Sequence, residues 1–200
     1  MMNGDQTGHG FNHVQRVVNN VQKILQNETA NAELVLTAAY LHDVFDDKLT
    51  DEVAGRKADV RRQLIAFGYD TAEINEIFYI IEHMSFSANL EQHYALSIEG
   101  QIVQDADRLD AIGAIGIARA FAYGGSHNRE IYFPDIEPKK DMNKEEYSKH
   151  ISTTVNHFYE KLFLLKDMMN TQTAKTIAEH RDRYMKSYLS EFMAEWNGEC

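Results

Sequence analysis

Only two prolines occur in the 200 residues of this chain, Pro134 and Pro138. Proline lacks the amide donor that a helix interior needs, so everything outside that short stretch is free to be helical. Val14, Val17, Val18, Val21, Ile24 and Leu25 recur at steps of three and four and predict a helix over 12–26. Residues 34–41 are apolar nearly all round, as in a helix buried at the centre of a bundle. Further helices are predicted over 51–67, closed by Gly68, over 71–84, over 95–123 with a break near 105–110, over 145–166 and over 171–196. The expected fold class is all-α, a compact helical bundle in one domain spanning residues 1–200.

The buried 34–41 segment runs straight into His42 and Asp43, and Asp46 and Asp47 follow within one further turn. Carboxylates crowded against an apolar run repel one another unless a cation or hydrogen bonds compensate them. A second acidic island, "QDADRLD", contains Asp107 and is flanked by apolar residues, and His13 opens the first predicted helix. His13, His42, Asp43 and Asp107 are therefore candidate metal ligands. Two neutral imidazoles and two carboxylates balance a divalent ion and leave positions for water, a donor set suited to Mn²⁺, Mg²⁺, Co²⁺, Ni²⁺ or Fe²⁺.

Composition narrows the partners. A formal net charge of −11 excludes the broad Lys/Arg footprint that DNA, RNA or an anionic membrane requires. The single cysteine, Cys200, excludes a disulfide framework and a cysteine-based zinc site. With no signal-peptide pattern at the N-terminus and no apolar run long enough to span a bilayer, a cytoplasmic protein is expected. The 124–146 segment, which holds both prolines and a Gly-Gly pair, is long for a connection inside one domain and is a candidate lid.

The ordered pattern His13, His42-Asp43 and Asp107, with its flanking text "GHGFNHVQRV", "AAYLHDVFDDK" and "DADRLDAIGAIGIARAF", resembles the HD-domain superfamily of metal-dependent phosphohydrolases. The likeness covers nearly the whole chain and is greatest to the small single-domain bacterial branch that includes nucleotide pyrophosphohydrolases. It implies a helical bundle around one divalent metal, with these four residues as ligands. It also implies (pyro)phosphohydrolysis of nucleoside triphosphates by metal-activated water. Asp46 matches the acidic residue that positions or deprotonates the attacking water in related enzymes. Asp47 matches the second member of an acidic pair in alarmone hydrolases.

Arg16, one turn beyond His13, and Lys48, after the aspartates, are the expected phosphate-binding cations. Arg108 and the loop residues Arg129, Lys139 and Lys140 are further candidates, and Lys161 is a residue that could face the site. Alternative readings are a deoxynucleoside monophosphatase, an alarmone hydrolase, a di-iron oxygenase drawing on His83 and Asp47, and a nucleotide sensor without turnover. The alarmone enzymes carry Asn four residues after the last ligand; here that position is Ala111.

Overall fold

The computed structural model describes residues 11–44, 53–90, 92–139, 141–150 and 152–199; among them there are helices and connections but no strand. Asp46, Asp47, Lys48 and Lys140 lie outside the described residues.

The valine stripe forms helix α1 (Phe11–Leu25), which buries Val14, Val17, Val18, Val21 and Ile24 together with His13. Asn31 caps α2 (Ala32–Leu41) by accepting from Leu34 N–H. After α3 (Val53–Ala66), Gly68 turns the chain at φ +95°, and a reciprocal Asp70/Glu73 capping box opens α4 (Thr71–His83). Ser97 caps α5 (Ile98–Asp110), and α6 (Gly113–Ser126) follows after a two-residue break.

α5 runs unbroken through the acidic island, so the interruption falls at Ala111–Ile112, just after Asp110 rather than within 105–110. Asp107 accordingly projects from the last turn of a helix. Gly113 makes the elbow at φ +79°, a conformation that costs glycine little.

α1, α2 and α5 pack against one another at the centre, with α4 behind α2. Here Ile24, Ile74, Ile77, Ile80, Ile102 and Leu109 are completely buried. The long final helix α9 (Gln172–Asn197) lies across α5 and α6. Asp105, fully buried on α5, fastens its start: its two oxygens accept from the backbone and side chains of Asn170 and of Thr171, the α9 cap, at 2.7–2.8 Å.

The predicted 145–166 helix is instead several pieces. These are α7 (Lys144–Lys149), α8 (Thr154–His157), a π-helical turn Phe158–Leu162 and a 3₁₀ turn Leu165–Met168. The reason is tertiary. Thr154 and Val155 donate their amides to the carbonyls of Glu130 and Ile131 at 2.9 Å, and Thr153 caps the new start through Asn156 N–H. Asn156 Nδ2 also reaches the Ile136 carbonyl at 2.7 Å, so the proline-bearing connection is tied to α8.

Candidate metal centre

His13 and His42 come from the first turn of α1 and the end of α2 and meet inside the bundle, 2% and 8% exposed. Their Nε2 atoms are 3.1 Å apart. Asp43 approaches both, 3.5 Å from His13 Nε2 and 3.3 Å from His42 Nε2, and Asp107 Oδ1 stands 3.5 and 3.9 Å from the same atoms. Ligand atoms of His13, His42 and Asp107 all lie within 4.8 Å of one another.

The outer face of each imidazole fixes its tautomer. His42 Nδ1 is 2.7 Å from the Ala39 carbonyl, which can only accept, and His13 Nδ1 is 2.7 Å from Asp110 Oδ2. Both Nδ1 atoms carry the proton, so in the neutral rings both Nε2 lone pairs point at one another and at two carboxylates. Lone pairs at that separation repel unless a cation lies among them. Neighbouring donors bonded to an ion at ~2.1 Å and at right angles are about 3 Å apart, which is the spacing seen here. The donor set fits a divalent cation.

Asp110 is the residue that sequence reasoning missed. It is 2% exposed and, besides His13, accepts from Arg16 Nε at 2.7 Å and Nη2 at 3.0 Å and from Arg119 Nη1 at 2.7 Å. Burial alone would raise its pKa, but the hydrogen bonds from His13 and Arg16 and the Arg119 charge outweigh burial and hold the carboxyl well below the usual carboxylate range. Asp110 is thus a fixed anion behind a candidate ligand histidine, in the place of the outer partner that orients an imidazole in metal sites. The spacing of Asp107 and Asp110, three apart on one helix face, is the signal that could have found it.

The other candidates are placed as follows. Arg16 binds Asp110 with two of its nitrogens. Arg108 is buried and donates to the Met168 carbonyl. His83 hydrogen-bonds the Tyr79 carbonyl through Nδ1, and its ring lies 4.2 Å from those of both Tyr79 and Tyr94.

The HD domain family model matches residues 10–112, a span that contains all four candidate ligands and Asp110. The chain belongs to the HD-domain family. The crystal structure of a protein from Lactobacillus plantarum, 46% identical, superposes with a TM-score of 0.88 over 98% of this chain and 91% of the other. YpgQ of Bacillus subtilis is 39% identical over 193 residues, 96% of this chain and 86% of its own. The structure of YpgQ in complex with ADP matches with a TM-score of 0.75 at 34% identity, covering 97% and 93% of the two chains. An HD-superfamily hydrolase from Bacillus thuringiensis matches at 42% identity with a TM-score of 0.74, over 94% and 87%. Among the described residues, no helix is long and apolar enough to cross a membrane.

Proposed function

We propose that this HD-domain protein is a metal-dependent phosphohydrolase of nucleotides, acting on nucleoside triphosphates by pyrophosphohydrolysis. The observation that carries the reading is the facing pair of His13 and His42 Nε2 atoms, 3.1 Å apart with Asp43 and Asp107 beside them. The ADP bound to the related YpgQ supports a nucleotide as the substrate class.

A bound divalent ion would supply Lewis-acid polarisation of a phosphoryl oxygen and acidify water. His13, His42, Asp43 and Asp107 would hold it, their two charges matching its own. Asp110, clamped by Arg16 and Arg119, keeps His13 in the tautomer that presents Nε2. Asp46, four residues after His42, takes the proton of the attacking water, and Asp47 assists it. Among the described residues Arg16 bonds Asp110 through Nε and Nη2 only, so Nη1, on a side chain 32% exposed, would serve a phosphoryl oxygen, and Lys48 would serve the same anion.

Phosphate and pyrophosphate release from a panel of nucleoside mono-, di- and triphosphates, each with Mg²⁺, Mn²⁺, Co²⁺, Ni²⁺ or Fe²⁺, tests this. Pyrophosphate and the nucleoside monophosphate are the expected products. Absence of release from every nucleotide with every metal would overturn the reading.

A further inference from the structure

The last turn of α5 carries Asp107 and Asp110, and α1, which carries His13, packs along it. The register between these two helices therefore decides whether the three side chains meet. A helix leaves its final carbonyls without an intrahelical donor, so other groups must satisfy them. Side chains from three other helices converge on this turn. Asn20 of α1 donates Nδ2 to the Ala106 carbonyl at 3.0 Å, and Arg119 of α6 donates to the Asp110 carbonyl at 3.3 Å. Arg181 of α9 donates Nη1 to the Leu109 carbonyl. Ala106 and Leu109 are completely buried and immediately precede Asp107 and Asp110.

Arg181 also reaches α1, through Nη2 to Asn20 Oδ1 at 3.3 Å. A guanidinium can only donate, so the Asn20 atom that faces it is the oxygen, and the amide nitrogen is left to face Ala106. Arg181 thus fixes which way the Asn20 amide lies. Asn20 follows His13 by seven residues, about two turns along one face of α1. One guanidinium on α9 therefore holds α5 next to Asp110 and α1 on the face of His13.

The chain around Arg181 is shaped to admit it. At the elbow after α5, a Cβ on Gly113 would stand 2.9 Å from Arg181 Cγ and 3.1 Å from Arg181 Cβ. The arginine stem passes where any other residue at 113 would place its side chain. Arg181 is half-buried. Burial lowers its pKa from the ordinary arginine value, and the charge of Asp110 works against that fall. A desolvated guanidinium is costly to a fold unless its donors are used, and here they are used on the two helices that must stay in register. Its charge also meets the negative end of the α5 dipole.

We propose that Arg181 is a positioning residue for the metal centre: through the Leu109 carbonyl and Asn20 it holds the last turn of α5 in register with α1, so that Asp110 meets His13 Nδ1 and Asp107 stands beside His13 Nε2. This rests on the metal-ion reading above. Among the described residues Arg181 hydrogen-bonds no candidate ligand, so it acts through the α5 backbone and through α1. Small divalent ions demand donors in near-ideal octahedral directions, and a slight slip of α5 along α1 weakens such a site before it unfolds anything.

The test is calorimetric titration with Mn²⁺ well below the melting temperature, together with the nuclear magnetic resonance signal of the His13 Nδ1 proton in the metal-free protein and a thermal melt. Arg181→Met keeps much of the stem and removes the donors. It should weaken Mn²⁺ binding about tenfold, the lower end of what losing an outer partner costs, and shift the His13 signal. Asn20→Ala cuts the same link from the α1 side and should move both readouts in the same direction, which decides the matter should Arg181→Met not fold. Leu64→Ala removes a buried side chain from α3, which packs on α4, and should lower the melting temperature while changing neither readout. Wild-type affinity and an unmoved His13 signal in the folded Arg181→Met protein overturn the positioning role, and so does an equal loss of affinity in Leu64→Ala. If the wild-type protein binds no Mn²⁺, the metal reading falls by itself and the His13 signal decides for Arg181: a shift in the variant upholds its hold on the His13–Asp110 pair, and an unmoved signal removes it.

Discussion

Asp110 Oδ2 lies 2.7 Å from His13 Nδ1, joining the last residue of α5 to the first turn of α1. The carboxylate never reaches the donor cluster itself, yet it decides which nitrogen of His13 faces inward. Asp110→Asn preserves size but replaces a fixed anion with a neutral amide beside two arginines. Metal affinity should fall about 10–100-fold, the usual effect of losing an outer partner of a ligand histidine. Metal titration of the folded variant measures it; unchanged affinity would leave Asp110 a purely structural anchor for Arg16 and Arg119.

Removal of a ligand itself should be more severe. His42→Ala and Asp107→Ala should come through dialysis without metal, and both should lose turnover. Wild-type protein should gain thermal stability with Mn²⁺, by about 2.7 kcal/mol at a hundredfold excess over Kd, and the variants should gain none. Elemental analysis with melts at graded Mn²⁺ decides the point, and stoichiometric metal in both variants would sink the ligand assignment.

Asp46→Asn should keep metal and lose about 10²–10⁴ in turnover, the usual worth of general acid–base catalysis. Turnover at saturating metal and nucleotide is the measurement, with a melt alongside it. Near-normal turnover passes the role of base to Asp47.

The α6–α8 contact admits no side chain at Gly124. Gly124→Ala places Cβ against Thr154 Oγ1 and should cost about 1–3 kcal/mol, as overpacking does. Thr154→Ala in the same chain removes the obstructing oxygen and should return most of that loss. Denaturant melts of the two single variants and the double variant form the cycle.

His157 gives a pH signature. Its folded pKa lies below that of the unfolded chain, about 3 against an ordinary 6.5. Between those values the unfolded state binds the extra proton, so stability is complete above about pH 6.5 and falls as the pH drops toward 3. The slope attributable to this residue approaches about 1.4 kcal/mol per pH unit, and His157→Gln should flatten it. An identical slope in the variant would place the acid sensitivity elsewhere.

The helical class and the stripes of α1 and α2 were legible because periodicity is local. His13, His42, Asp43 and Asp107, which the structure brings together, were legible as residue types at helix ends and in an acidic island. Asp110 was hidden because what distinguishes it from any surface aspartate is the convergence of Arg16 and His13, more than ninety residues away. The 145–166 segment misled for the same reason. Its apolar spacing is helical throughout, but the pairing of Thr154 and Val155 with Glu130 and Ile131 restarts the helix.

The clasp between Asp105 and Thr171 has a bearing on synthesis of the chain. α5, which carries Asp107 and Asp110, receives its far-side support from Asn170, Thr171 and Arg181, the last of which donates to the Leu109 carbonyl. On the ribosome these residues emerge some sixty or more positions after α5. Until they do, Asp105 has no partner to hold it in the core, and the carboxylates that follow lack a rigid backing. A nascent chain would thus carry every candidate ligand well before it could hold them in register, and metal capture would wait for the final helix to dock.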